Sequence, residues 1–394
     1  FGKLIDLSGA ASSISRAMIS SLGARNVMLA IVLACAVLTY GGVSLFVVAF
    51  AVYPLAAGLF REANIPKRLI PGTIALGSFT FTMDALPGTP QIQNVIPTTF
   101  FGTDLYAAPI LGCCGALFVL AMGMGYLVWQ WRRAIAQGEG YGEGHLQEPE
   151  AVAESTSTMP FLLAMLPLLV VAGVNFVLGR RLPQIYGATY NFADVGHAED
   201  GVVEVAKLAG IWSIELALSA GILVTFALGY RRIVPQVKKG LDAAVAGALL
   251  ATMNTASEYG FGGVIAALPG FEAVKNAVSG AFQDPLVNQA VSVNLLAGVT
   301  GSASGGLSLA LAAMGPTYLE AAQREGISPE VLHRVASMAS GGMDTLPHNG
   351  AVITLLLITG LTHRQSYKDI FAITCIKTLA VFFVIFIFRV TGLY

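Results

Sequence analysis

Charge is scarce in this chain. Only 11% of its 394 residues are Asp, Glu, Lys or Arg, 55% are hydrophobic, and the mean hydropathy is +0.71. Soluble domains carry about 25% charged residues, so a water-soluble globular protein is excluded and a polytopic membrane protein is expected. Cysteine is also scarce. Cys35, Cys113, Cys114 and Cys375 all lie inside apolar runs, which excludes a disulfide framework or a metal cluster and leaves small packing residues. The net charge is −1 with no basic stripe, so nucleic acid is not an expected partner. An intramembrane enzyme would need a nucleophile or a metal set. HExxH and a paired-aspartate GxGD are both missing, and "SASG" at Ser302 lacks the leading glycine of a rhomboid-type motif. No catalytic residue, metal or cofactor is therefore expected. A passive channel would show charges or carbonyls continuing through the bilayer, whereas polarity here is confined to a few places.

Hydrophobic length is plentiful. Apolar runs at about 106–130, 160–180, 207–230 and 369–390 each approach the roughly 20 residues that a spanning helix requires. A further span is expected at about 240–268. The segment 137–158, "QGEGYGEGHLQEPEAVAESTST", has five glutamates and no Lys or Arg, the composition of a flexible acidic linker. It divides the chain into 1–136 and 159–394.

The two parts repeat one another. "GGVSL" at Gly41 recurs as "GGLSL" at Gly305, "REANIP" at Arg61 as "REGISP" at Arg324, and "MDALP" at Met83 as "MDTLP" at Met343, with offsets of 260 to 264. Charge suggests that the copies face opposite ways. Residues 1–69 hold Lys3, Arg16, Arg25, Arg61, Lys67 and Arg68 against Asp6 and Glu62; residues 265–334 hold Lys275, Arg324 and Arg334 against five acids. Because cytoplasmic loops collect Lys and Arg, inverted-topology repeats are expected, with the linker cytoplasmic and only Arg180 and Arg181 misplaced. Three spans precede the second copy, and Phe1-Gly2 matches Phe261-Gly262, so about three further helices are expected upstream in a natural precursor.

Runs beside the glycine motifs are short. Residues 27–40 and 45–60 give roughly 21 to 24 Å of helix against a core of roughly 30 Å, which predicts a re-entrant helical hairpin with its tip at Gly41 and Gly42. A second is expected with arms at about 288–300 and 307–318. The MDxLP elements interrupt apolar segments at about 69–103 and 331–362, and proline costs a helix interior about 3 kcal/mol. Two broken transmembrane helices follow. Each break opens amide donors on one side and carbonyls on the other at mid-membrane, a place for a small anion and a cation. The expected substrate contacts are Thr39, Gly41, Gly42, Ser44, Thr89, Gln91, Asn94, Ser302, Ser304, Gly305, Gly306, Ser308, His348, Asn349 and Thr354. Asp84, Asp344, His348 and Glu258 are the ionisable residues expected to carry a coupling proton or sodium ion, and Lys377 is expected to snorkel to the interface.

The sequences "LTYGGVSLFVVAFAVYP", "IPKRLIPG", "DALPGTPQIQN", "SEYGFGGV" and "DTLPHNGAVITLL" resemble the GntP family of gluconate:proton symporters, part of the ion transporter superfamily. Within that family the chain is more similar to hydroxybutyrate-permease-like members, since its first break has fewer His and Pro than the gluconate transporters. The resemblance implies a multi-pass permease of the bacterial inner membrane, working as a homodimer in the lipid bilayer. It also implies an elevator-like movement that carries a small hydroxy-monocarboxylate, such as 3-hydroxybutyrate, glycerate or a gluconate-like acid, with a proton or, alternatively, with sodium.

Overall fold

The computed structural model describes residues 1–22, 26–145, 148, 159–191, 202–238 and 282–394, with scattered positions between 240 and 273. Among the described residues the regular structure is helical apart from a two-stranded antiparallel pair, β1 (Thr189–Asn191) and β2 (Val202–Glu204). Among the described residues, five helices are long and apolar enough to cross a membrane. Glu258 and most of the expected 240–268 span lie outside the described residues.

The first half begins with α1 (Gly2–Ser8) and α2 (Ala10–Leu22), joined at Gly9. A helix–turn–helix follows, α3 (Val27–Tyr40) and α4 (Leu45–Glu62), whose turn needs Gly42 at φ 90°, a conformation that costs glycine little. The next helix is interrupted as expected: α5 (Leu69–Ser78), a single turn α6 (Phe81–Asp84) and, beyond Pro87 and Pro90, α7 (Ile92–Phe101). The half closes with the 28-residue α8 (Pro109–Ala136), which starts with a proline where no helical amide bond is lost.

After α9 (Phe161–Tyr186) and α10 (Val205–Ile233) the same order returns. The pair α11 (Pro285–Thr300) and α12 (Ala303–Glu325) is followed by α13 (Pro329–Ser340), a break over 341–349, α14 (Gly350–Thr359) and the long α15 (His363–Thr391). Capping chemistry sets these boundaries. Asp284 accepts from the amides of Leu286 and Val287, Ser302 from Gly305, Ser328 from Glu330, and Thr362 with Gln365 forms a capping box.

The second helix pair is longer than its sequence suggests. Its arms run over 285–300 and 303–325, not 288–300 and 307–318, and its turn shrinks to Gly301 and Ser302. The physical reason is the Ser302 cap, which starts α12 two residues before Gly305. Gly305 and Gly306 are thus helical, and they serve close packing: a Cβ on Gly306 would overlap the backbone of Ala297 in α11. In the first half, α4 reaches 18 residues, about 27 Å.

One apolar core runs through both halves. The contacts across it are reciprocal: α7 packs on α12 and α13, and α14 packs on α4 and α5. At one end, the linker's first residues fold back. Glu139 accepts from Arg68 Nε at 2.7 Å and Nη2 at 3.0 Å, while Glu148 meets Arg61, Lys67 Nζ (2.9 Å) and the Tyr141 hydroxyl (3.0 Å). Arg68 holds the Glu139 carboxyl below its ordinary range, so this clamp is complete at neutral pH and loosens as pH falls through that lowered value.

Replacing Gly306 with leucine is expected to force α11 and α12 apart, costing about 3 kcal/mol. Gly173→Leu on α9, where nothing lies within 4 Å of the new Cβ, is expected to be neutral. Melting temperature in detergent checks the contrast, and equal melting of both variants would refute the packing role of Gly306.

Candidate functional site

Breaking a helix frees carbonyls on one side and amides on the other, and each needs a partner. The end of α5 supplies its own: the hydroxyls of Ser78, Thr80 and Thr82 donate to the carbonyls of Ile74, Leu76 and Gly77. At the start of α14, the Asn349 side-chain oxygen accepts from the amides of Ala351 (2.7 Å) and Val352 (3.1 Å).

The two turns are tied to the two breaks by amide side chains. Gln91, the residue before α7, donates Nε2 to the carbonyls of Thr39 (2.7 Å) and Val43 (3.3 Å) around the first turn. Asn349, the residue before α14, donates Nδ2 to Gly301 O at the second turn (2.6 Å), and His348 Nε2 lies 3.1 Å from Gly298 O. Tyr40 on α3 also donates to Pro87 O at 2.9 Å. A turn therefore meets a break in each half.

The breaks also meet each other. Arg334 on α13 has no solvent exposure, and its guanidinium donates to Ala107 O (2.7 and 3.1 Å), Asn94 Oδ1 (3.0 Å) and Asp84 O (3.2 Å). Ser337 donates to the same Asp84 carbonyl at 2.7 Å. His333, equally buried, bridges Asn94 Oδ1 (3.1 Å) and Thr103 (2.6 Å). Asn94 spends its own amide on Thr89 O and Leu105 O, and Thr89 donates to Thr82 O. Thr89 and Asn94 are fully committed to internal bonds that shape the first break.

Four charged side chains converge here. Asp84 is 4% exposed and Asp344 6%. Lys377 Nζ donates to Asp344 Oδ1 at 2.8 Å and to Phe79 O at 2.7 Å. Lys377 does not snorkel. It stands fourteen residues into α15, about 21 Å from the helix start, and is 3% exposed. The buried carboxylate supplies what the interface would have offered.

The other expected contacts fall in several places. Gly41 is packed against Leu168, Ser44 is exposed at the first turn, and Ser302, Ser304 and Thr354 are half-buried. Ser308 is 8% exposed within α12. The Thr39 Oγ1, Asp84 Oδ2 and Asn294 Oδ1 oxygens are buried with no hydrogen-bond partner among the described residues. Sequence reasoning missed Asn294, His333 and Arg334 as site residues; the last was read as a loop charge. The signal available for Arg334 was its place in "HRVASMAS", where the flanking residues are buried throughout. A cavity of about 600 Å³ lies apart from all of these, among Arg61, Asn64, Tyr141 and the linker.

Polar junctions of broken helices inside a helical multi-pass protein fit a membrane transporter. Comparison with known proteins gives the same class: the model of the family described as "GntP family permease" matches residues 1–216. A relative named "Uncharacterized transporter YxjC", from Bacillus subtilis (strain 168), is 58% identical over 400 residues, covering 100% of this chain and 85% of the relative. The chain belongs to the GntP permease family and is a multi-pass protein of the bacterial plasma membrane.

Asn349→Ala removes three hydrogen bonds at once and is expected to destabilise the protein by about 2–3 kcal/mol. Asn349→Asp keeps the cap but sets an oxygen against Gly301 O, so it is expected to melt between wild type and the alanine variant. Thermal melts in detergent decide this; an alanine variant as stable as wild type would show that the link between turn and break is dispensable.

Proposed function

We propose that this transporter carries a small hydroxy-monocarboxylate in symport with a proton, using inverted repeats whose two helix–turn–helix pairs are re-entrant hairpins. The observation that carries the reading is the junction itself: two turns, each hydrogen-bonded to a broken helix, with the two breaks joined through Arg334, Asp84 and Lys377. Reciprocal packing of α7 on α12 and α14 on α4 supports a pseudo-two-fold relation between the copies, and such repeats form substrate sites near mid-membrane. The half-buried Ser302, Ser304 and Thr354 and the exposed Ser44 are suited to hydroxyl groups, and the amides at the turns to a carboxylate.

The coupling proton is assigned to Asp84. Its Oδ2 is buried with no hydrogen-bond partner among the described residues, and an unpaired charge in such a place costs at least several kcal/mol, which favours the neutral acid. Asp344, by contrast, is neutralised by Lys377. The bonds joining turns, breaks and α15 make these elements one body, and α9 and α10, which pack extensively on each other, are suited to the static scaffold of an elevator-type movement. A homodimer built on that scaffold follows the family resemblance.

In proteoliposomes, an inward proton gradient is expected to drive uptake of labelled 3-hydroxybutyrate or glycerate above equilibrium. Asp84→Asn is expected to lower gradient-driven accumulation at least tenfold while preserving exchange of labelled for unlabelled substrate. Uptake that never exceeds equilibrium under any gradient would refute symport, and undiminished accumulation by the variant would remove Asp84 from the coupling role.

A further inference from the structure

The Lys377 ammonium occupies an unusual place for a lysine. Its two identified partners are a carboxylate oxygen, Asp344 Oδ1 at 2.8 Å, and a main-chain carbonyl, Phe79 O at 2.7 Å, the latter at the open end of a broken helix. These come from elements 33 and 298 positions away. An ammonium has three donors, so one hydrogen remains. On the same side lies the bare Cα of Gly341: a Cβ there would overlap Asp84 Oδ2 and stand 3.2 Å from Lys377 Cε. Asp84 Oδ2 has no hydrogen-bond partner among the described residues. The remaining charged group at the junction, Arg334, is spent on the carbonyls of Ala107 and Asp84 and on Asn94 Oδ1.

A carboxylate, a second buried carboxyl oxygen and a helix-end carbonyl are the oxygen ligands that a small hard cation takes. Helix-end carbonyls in discontinuous membrane helices are also where coupling cations sit. We infer that Lys377 is a tethered cation: its ammonium fills a monovalent-cation site formed by Asp344 Oδ1 and the Phe79 carbonyl, with Asp84 Oδ2 left unpartnered beside it. Transport is therefore independent of sodium, and removal of the side chain opens the site to a free sodium ion. This deepens the proposed symport and rests on it for the transport readout alone; occupancy of the site is read separately, by stability.

Rescue by a free ion distinguishes this role from a structural ion pair. A structural pair that loses its lysine leaves a buried carboxylate that no salt specifically rescues, whereas a vacated cation site recovers when its ion returns. Gly341 permits this arrangement, since with no Cβ it lets Asp84 Oδ2 and the lysine stem approach its backbone closely.

The full chain and its variants are purified in detergent with either NaCl or choline chloride at equal ionic strength, and melted; uptake is measured in proteoliposomes in the same salts. Wild type is expected to melt and transport alike in both. Lys377→Ala is expected to melt at least about 4 °C higher in NaCl than in choline and to regain at least tenfold of its uptake there. Lys377→Met, which fills the space with apolar atoms, and the double variant Lys377→Ala/Asp344→Asn are expected to show no difference between salts. A wild type that requires sodium would overturn the inference. So would a Lys377→Ala protein that melts equally in the two salts, or that fails to fold in both while the double variant folds. Should no hydroxy acid be transported at all, the symport reading fails, but a sodium-specific shift of Lys377→Ala would still establish the cation site.

Discussion

Peptide groups released in the middle of a bilayer must find partners within the protein, because lipid offers none and each unmet group costs several kcal/mol. Both breaks in this chain meet that demand from the outside as well as from within. Side-chain hydroxyls close the carbonyl end of α5, but the turns at Gly42 and Gly301 depend on Gln91 and Asn349 for their exposed carbonyls. Each amide side chain stands immediately before the second half-helix of a break. The turn and the break in each half are consequently a single hydrogen-bonded object. Any displacement of a turn therefore reaches its break through bonds of ordinary length, with no intervening flexible segment.

Charge is handled differently at two points of the same junction. Among the described residues no carboxylate side chain pairs with Arg334; carbonyl and amide oxygens surround it, and this distributes the guanidinium charge over several dipoles. Lys377 meets Asp344 directly. Burying such a pair seldom gains stability over apolar packing, yet removing one member typically costs about 3–5 kcal/mol. Pairs of this kind are therefore poor sources of net stability, yet costly to break.

Much of the architecture was legible because breaks announce themselves. An acid, prolines and amides inside an apolar run mark both interruptions, and three matched motifs mark the duplication. The misreadings share one cause: a charged residue in an apolar sequence has the same appearance whether it reaches water or a partner. Arg334 and Lys67 entered the loop-charge tally, although one has no exposure and the other 1%. Lys377 looked like an interfacial lysine because its partners lie 33 and 298 positions distant. The second hairpin looked short because Glu320, Arg324 and Glu325 read as loop residues. Helix α12 simply continues through them, past the apolar stretch, to Gly326 at φ 69°. Asn294 gave no signal, since one asparagine in a mixed helix is common and its significance lies in the unsatisfied oxygen it presents beside Gly342.

The duplication is closest in the backbone and weakest in the charges. Asp84 and Asp344 stand at equivalent places, 260 positions apart, but a lysine accompanies only the second. At the same offset from Lys377 the first copy has Leu117, and at the same rank along the closing long helix it has Gly123, packed against Leu76. One ammonium thus serves a junction with two carboxyl groups. If both carboxyls were ionised, the junction would hold a net charge of −1 before Arg334 is counted, and the free oxygen would belong to Asp84. A symmetric pair of sites would have made the two aspartates interchangeable. A lysine in one copy alone makes them unequal: Asp344 has an ammonium partner, and Asp84 keeps an oxygen with no hydrogen-bond partner among the described residues.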